Sequence, residues 1–292
     1  MAYNAVKRRC EGLDKYCVLM SVYYKEKAEH LEAALMSMLN QTLLPSQIVL
    51  VADGPLTDQL EEVISRVSSI SDGLLEIIRL ESNSGLATAL NTGLEHCRYE
   101  YVARMDSDDI SLPDRCERQL RFMTRHGLDI SSGTIEEFSD DPGEVETLKT
   151  LPLSQAAILR YAKTRNPFNH PCVMFRRSRI TALGGYDNNY PFFEDYQLWV
   201  RLLRNGARCA NIKKPLLRMR TGSGMFARRG GFRYLRCALK MEKYKLRCGF
   251  CSGFEHLSRI SAMTVFCLTP AALREHLYKK LLRRKDVAKT GA

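Results

Sequence analysis

No run of about 18 or more uninterrupted apolar residues occurs in the 292-residue chain, so hydropathy predicts no membrane-spanning helix. Met1 to Asp14 carries Lys7, Arg8 and Arg9, but Cys10, Glu11 and Gly12 follow where a signal peptide needs an apolar core, and export is not predicted. Of the ten cysteines, only Cys248 and Cys251 form a CxxC, and no second pair or Cys/His cluster completes a tetrahedral zinc site. The cysteines read as reduced, buried small hydrophobes of a cytosolic protein. A Gly-rich triphosphate loop is also missing, which argues against a nucleotidyltransferase. Net positive charge is missing from most of the chain despite a total of +11: residues 227–292 hold 16 Lys/Arg against 4 Asp/Glu, leaving the first 226 residues at −1. The body is therefore not expected to bind nucleic acid, and the basic, amphipathic end suggests an anionic surface.

What is present is a strict alternation. Apolar runs at Cys17–Val22, Ile48–Ala52, Leu75–Leu80 and Tyr101–Met105 read as strands, and helical spacing covers Glu26–Leu39, Leu60–Val67 and Leu86–His96. Strands alternating with helices predict an α/β domain with right-handed crossovers and a largely parallel sheet. Pro113–His126 is predicted as a helix capped by Ser111 and closed by Gly127, followed by a strand at Asp129–Phe138 and an acidic turn at Ser139–Gly143. Helices are expected again at Ser154–Lys163 and from about Tyr196 to Arg204, with a less regular stretch at Asn166–Arg177 between them.

In such sheets ligands bind at the carboxyl ends of the strands. Ser21 and Tyr23 follow the first strand, Asp53 closes the second, Asn83-Ser84-Gly85 follows the third, and Asp106-Ser107-Asp108-Asp109 closes the fourth. This chemistry suits a nucleotide: a ring to stack on a base, a carboxylate for a base N–H, a small loop opening a helix, and carboxylates for a metal carrying diphosphate. The Asp-rich strand end is equally open to a plain turn and helix-capping role.

Together these motifs, with Gly184-Gly185-Tyr186-Asp187 and Glu194-Asp195-Tyr196-Gln197-Leu198-Trp199, resemble glycosyltransferase family 2 over roughly Cys17 to Thr221. The resemblance implies a GT-A fold, a Rossmann-like nucleotide-binding mixed sheet flanked by helices, and inverting transfer from a UDP-sugar. It implies that Ser21, Tyr23, Asp53, Asn83 and Gly85 hold the donor nucleotide, together with Asp106, Ser107 and Arg220, and that Asp106 and Asp108 hold Mn²⁺ or Mg²⁺. Asp195 matches the general base and Glu194 an acceptor-orienting neighbour, although both residues could merely favour the helix N-terminus that follows them. The resemblance places His170 in a segment that borders the acceptor or the donor sugar, with acceptor binding expected, and a structural histidine is the alternative. Arg218 is the alternative to Arg220 near the diphosphate, and the histidine the family often places soon after is replaced by Thr221-Gly222-Ser223-Gly224. The QxxRW element of processive synthases is absent, which favours single addition.

Two regions are expected: residues 1–226 as the GT-A domain and 227–292 as a helical basic extension. Helical spacing at Phe232–Leu246 and Ile260–Leu282 mixes apolar residues with Arg and Lys, including Leu273, Leu277, Leu281 and Leu282 beside Arg274, Lys279 and Lys280. This extension either packs on the body with a solvated basic face or lies on an anionic membrane. The implied partner is a glycan on polyprenyl diphosphate, and the implied setting is O-antigen or capsule synthesis at the inner face of the cytoplasmic membrane. A noncatalytic nucleotide- or polyanion-binding module on a degenerate scaffold is the other class of function.

Overall fold

The computed structural model describes residues 14–139, 141–221 and 230–269. Strands β1 (Tyr16–Val22), β2 (Gln47–Ala52), β3 (Leu75–Arg79) and β4 (Tyr101–Arg104) alternate with helices α1 (Ala28–Leu39), α2 (Asp58–Ile70) and α3 (Leu86–His96), as their apolar spacing predicts. All three pairings among these strands are parallel, in the order β3-β2-β1-β4, so their carboxyl ends share one edge. Both faces of the sheet are covered because both phases of the two-residue repeat are apolar. Val18, Met20, Ile48 and Leu50 pack with Leu31, Leu35, Leu60 and Ile64 of α1 and α2. Their alternates, Cys17, Leu19, Val49 and Val51, pack with Leu90 and Leu94 of α3.

The second half contains β5 (Ile110–Ser111), α4 (Arg115–His126), β6 (Ile130–Phe138), β7 (Thr147–Lys149), α5 (Gln155–Ala162) and a 3₁₀ turn at His170–Cys172. There follow β8 (Met174–Arg176), α6 (Arg177–Thr181), α7 (Glu194–Arg204) and β9 (Cys209–Arg220). The sheet continues from β4 as β8-β6-β9-β5, with β7 on β6. Here pairing turns mixed: β8 is antiparallel to β4 and β6, and β9 is parallel to β6 but antiparallel to β5. The alternation that predicts parallel strands therefore ends at β4, because β8 follows an irregular, proline-containing stretch in place of a crossover helix.

Ser111 does not cap α4. It lies in β5, where its N–H donates to Ser37 Oγ (3.0 Å) and its Oγ accepts from Gln41 Nε2 (3.1 Å); α4 starts later, at Arg115. Gly127 does end the helix in the left-handed conformation, with φ 58°. The acidic turn after β6 is described except for Asp140.

Helices α8 (Gly231–Arg247) and α9 (Gly253–Leu268) form the C-terminal part. The inner face of α8 is buried through Leu235, Ala238 and Met241, and Met241 packs on Tyr196 and Val200 of α7. Packing on the body is thus realised for one face of α8. Helix α9 begins earlier than its apolar spacing predicts because a capping box fixes its start: Glu255 N–H donates to Ser252 Oγ (3.2 Å) and Ser252 N–H to Glu255 Oε2 (2.8 Å). The leucine stripe at Leu273–Leu282 and the expected boundary at 226/227 lie outside the described residues. Among the described residues, no helix is long and apolar enough to cross a membrane.

Candidate active site

Three groups of side chains meet at the carboxyl edge of β1, β2 and β4. The first surrounds Asp53, which follows β2 and is buried. Its Oδ1 accepts from Ser84 N–H (2.6 Å) and its Oδ2 from Gly85 N–H (3.0 Å), so the carboxylate pins the loop that opens α3. Asn83 donates from Nδ2 to the Asp53 carbonyl (3.3 Å). Gly54 makes this closure possible: its φ is +87°, and a Cβ there would lie 2.6 Å from Asn83 N. Each Asp53 oxygen keeps a lone pair for a further donor. Tyr23, 38% exposed, stands beside this loop's strand on the chain that leaves β1, and Ser21 is half-buried within β1.

The second group is the acidic cluster. One carboxylate oxygen from each of Asp106, Asp108 and Asp109 lies within 4.8 Å of the others. Asp106 is ion-paired with Arg104, the last residue of β4, whose side chain is only 1% exposed. Asp109 Oδ1 accepts from Arg220 N–H (2.9 Å), while its buried Oδ2 has no hydrogen-bond partner. Arg220 also donates from Nε to the Asp108 carbonyl (3.3 Å), and its guanidinium lies 4.6 Å from the Phe138 ring centroid. Arg218 faces elsewhere, donating from Nε to Glu136 Oε2 (2.9 Å). Burial first, then the charges of Asp106 and Glu26, push Asp108 up to about 7. Burial, Asp108 and Asp106 hold Asp109 well above the usual carboxylate range. Three hard oxygen donors that repel one another, one with an orphaned buried oxygen, fit a divalent cation such as Mg²⁺ or Mn²⁺. Asp109 thus joins the expected pair Asp106 and Asp108 as a third donor.

The third group is the start of α7. Neither Glu194 nor Asp195 caps it: Phe193 holds the N-cap position, and the two carboxylates sit in the first turn. Asp195 Oδ1 accepts from Tyr196 N–H (2.6 Å) and its Oδ2 from Asn166 Nδ2 (2.5 Å). Burial raises Asp195; burial and the Asp195 charge push Glu194 up to about 7, and Glu194 Oε2 is buried without a hydrogen-bond partner. His170 Nε2 is 3.1 Å from the Tyr186 hydroxyl, and its ring lies edge-on to Trp199. Burial and the Arg104 charge lower His170 well below its ordinary value, so it is neutral and walls the site. The turn carrying Tyr186 is fastened by Asn91, which donates to the Tyr186 carbonyl and accepts its N–H, both at 2.8 Å. Gly185 is required there, since a Cβ would lie 2.2 Å from Asn91 Oδ1.

Arg104 links the last two groups. Its charge lowers Asp108, Asp109, Glu194 and Asp195 together, and Asp106 in turn raises Glu194, so the two carboxylate sets share one electrostatic site. Arg104 was hidden in an apolar strand run, where its only sequence signal is a lone charge before the aspartates. Glu26 was missed as well, like Asn166: its Oε2 accepts from Ser107 Oγ (2.9 Å), which commits that hydroxyl to a carboxylate 81 residues away. A separate hollow lined by Lys15, Tyr99, Tyr101 and Arg176 opens at the amino ends of β1 and β4, the opposite edge from the carboxylates.

The half-parallel, half-mixed sheet and the strand-end carboxylates define a GT-A transferase fold. Residues 17–184 match the family model described as Glycosyl transferase family 2, and the chain belongs to that family. It is 40% identical over 268 residues to the amylovoran biosynthesis glycosyltransferase AmsE of Erwinia amylovora, covering 91% of this chain and 98% of that protein. It is 38% identical over 274 residues to an Escherichia coli protein named UDP-Gal:alpha-D-GlcNAc-diphosphoundecaprenol beta-1,3-galactosyltransferase, covering 92% and 97%. Among solved structures, the mannosyltransferase PcManGT of Pyrobaculum calidifontis in complex with GDP-Man and Mn²⁺ superposes with a TM-score of 0.63 at 18% identity, over 92% of this chain and 76% of that one. S. aureus TarS 1-349 in complex with UDP-GlcNAc gives 0.62 at 16%, over 92% and 71%. The chain is therefore a glycosyltransferase of the GT-A fold.

Proposed function

We propose that the protein is an inverting transferase that moves a hexose, galactose or glucose, from a UDP-sugar to a glycan carried on polyprenyl diphosphate, in O-antigen or capsule synthesis. The observation that carries this reading is the meeting of the Asp106/Asp108/Asp109 cluster and the Glu194–Asp195 pair around Arg104. The name of the Escherichia coli relative supports the donor and acceptor classes. Asp53 and Tyr23 receive the base, and Arg220 lies beside the diphosphate position. Asp106, Asp108 and Asp109 hold Mg²⁺ or Mn²⁺, which neutralises charge developing on the departing diphosphate when bound.

Asp195 accepts the proton of the attacking acceptor hydroxyl while Glu194 orients that sugar. The hydroxyl oxygen forms the new bond to the anomeric carbon as the bond to the diphosphate oxygen breaks, and UDP leaves with that electron pair. Attack from the face opposite the leaving group turns an α donor into a β product. The test needs no acceptor: slow hydrolysis is measured across a panel of UDP- and GDP-sugars with Mn²⁺ present. UDP-galactose or UDP-glucose is expected to turn over fastest, and turnover of a GDP-sugar alone would overturn the donor assignment.

The C-terminal helices support work at a membrane surface. Helix α8 exposes Arg233, Arg236, Lys243 and Arg247, and α9 exposes Phe254, Leu257 and Val265, at 83%, 65% and 70%. An exposed basic face on one helix and an exposed apolar face on the next are each suited to an anionic bilayer interface, where each nearby basic residue contributes about 1 kcal/mol. Co-sedimentation is expected with anionic vesicles and not with neutral ones. Arg236→Glu combined with Lys243→Glu should lower partitioning by about 30-fold or more. Equal binding to both vesicle types, or to neither, would rule out this surface.

A further inference from the structure

We infer that Lys245, in the C-terminal region, is a positioning residue for the Asp195 carboxylate; the inference rests on the base assignment proposed above. Lys245 is fully buried, although it sits on a helix whose other face is basic and exposed. An ammonium group is tolerated at such depth only when its protons are used. All three are. Nζ is 2.8 Å from Glu242 Oε1, donates to the Lys163 carbonyl at 2.8 Å and donates to the Tyr196 hydroxyl at 3.2 Å. The Tyr196 hydroxyl in turn donates a hydrogen bond to the Ala162 carbonyl at 2.5 Å.

Ala162 is the last residue of α5 and Lys163 its C-cap, so both carbonyls are among those a helix end leaves without an internal partner. Lys245 and Tyr196 together satisfy them, which joins the end of α5 to the start of α7. These are the two segments that hold the base. Asn166, three residues after Lys163, donates to Asp195 Oδ2, and Tyr196 N–H donates to Asp195 Oδ1. Each oxygen of the carboxylate is therefore oriented by a group whose own segment Lys245 clasps. A buried Lys–Glu pair adds little stability over an apolar pair of equal volume. What it fixes here is the direction of Asp195, on which proton transfer depends.

The test uses the full chain carrying Lys245→Met with Glu242→Gln, which removes both charges and leaves no uncompensated ion. The expected result is a kcat for transfer lowered about 10- to 100-fold, with donor KM and UDP binding unchanged. Tyr196→Phe, which keeps the ring in its packing and removes only the relay, should lower kcat in the same direction by less. Combining either change with Asn166→Ala should cost less than the sum of the separate losses, because both act on one carboxylate. Wild-type kcat in either folded variant, or full additivity with Asn166→Ala, would overturn the clasp. Asp195→Asn distinguishes the levels: if it loses transfer while the Lys245 and Tyr196 variants keep it, only the clasp fails. If Asp195→Asn keeps transfer, the base assignment itself falls and takes the clasp with it.

Discussion

Asp195→Asn is expected to lower transfer by about 10²- to 10⁴-fold while leaving UDP binding intact, because a general base contributes on that order. The fold should survive the change. Asp195 accepts from Tyr196 N–H and Asn166 Nδ2. An asparagine keeps one acceptor for the Tyr196 amide; the Asn166 contact is given up, because Asn166 Oδ1 is held by Phe168 N–H (3.2 Å) and its Nδ2 would face the new NH₂ group, a cost of about 1 kcal/mol. What is lost is the capacity to accept a proton. The pH dependence follows from burial, which raises Asp195 above the ordinary aspartate range. Only the deprotonated form acts as base, so kcat falls as pH drops through that raised value. Glu194, pushed up to about 7, adds a second titration near neutrality, and the two titrate as an interacting pair. Glu194→Gln should remove the limb near neutrality that belongs to Glu194 and leave the single titration of Asp195. A pH profile of UDP release measures both, and wild-type transfer by Asp195→Asn would sink the assignment.

The parts of this site that were legible from residue pattern alone share one property: each lies beside the end of an apolar run that fixes its strand, whereas Glu194, Asp195 and His170 came from the family resemblance. Asp53 after β2, Asn83 to Gly85 before α3, and Asp106 to Asp109 after β4 could be placed on one edge because parallel strands bring their carboxyl ends together. Residues whose roles come from distant partners were not legible. Glu26 reaches Ser107 across 81 positions and Asn166 reaches Asp195 across 29, and no local pattern encodes either meeting. Arg104 was missed for a different reason: a single charge within a buried strand does not reveal whose counter-ion it is. The capping of α4 was misjudged because Ser37 and Gln41, both in the α1 region, engage Ser111 and draw it into β5. Two β5 residues are too few to show any period. The start of α9 was missed, because apolar spacing alone pointed to Ile260, although Ser252-x-x-Glu255 is a capping-box spacing that signals it. Lys245 was indistinguishable from its exposed basic neighbours until α8 had a buried face.

Asp108→Asn is expected to remove Mn²⁺-dependent turnover, a loss of about 10³-fold if the cation contributes several kcal/mol at the leaving diphosphate. Among the three carboxylates, Asp106 is tied to Arg104 and Asp109 to the Arg220 amide, whereas Asp108 is governed by burial and by the like charges of Asp106 and Glu26. Asp108 and Asp109 are both raised, so a cation would relieve both, and Asp108, whose raised value lies near neutrality, is the one whose charge can be followed with pH. Metal-free protein should show the same imbalance as a stability effect. With its value raised to about 7, Asp108 takes up a proton more readily in the folded state than in the unfolded chain. The penalty on its charged form is therefore full above about pH 7 and is relieved progressively as pH falls from there towards the ordinary aspartate value of 3.8. With EDTA present, Asp108→Asn should accordingly raise Tm at pH 8 and raise it less at pH 5. Added Mn²⁺ should raise the Tm of the wild-type protein at pH 8 and leave that of the variant nearly unchanged, because losing one of three carboxylate donors weakens binding to the folded state. Calorimetry with and without Mn²⁺ reads both effects. An equal Mn²⁺ shift in the two proteins would show that Asp108 does not hold the metal, whatever became of turnover.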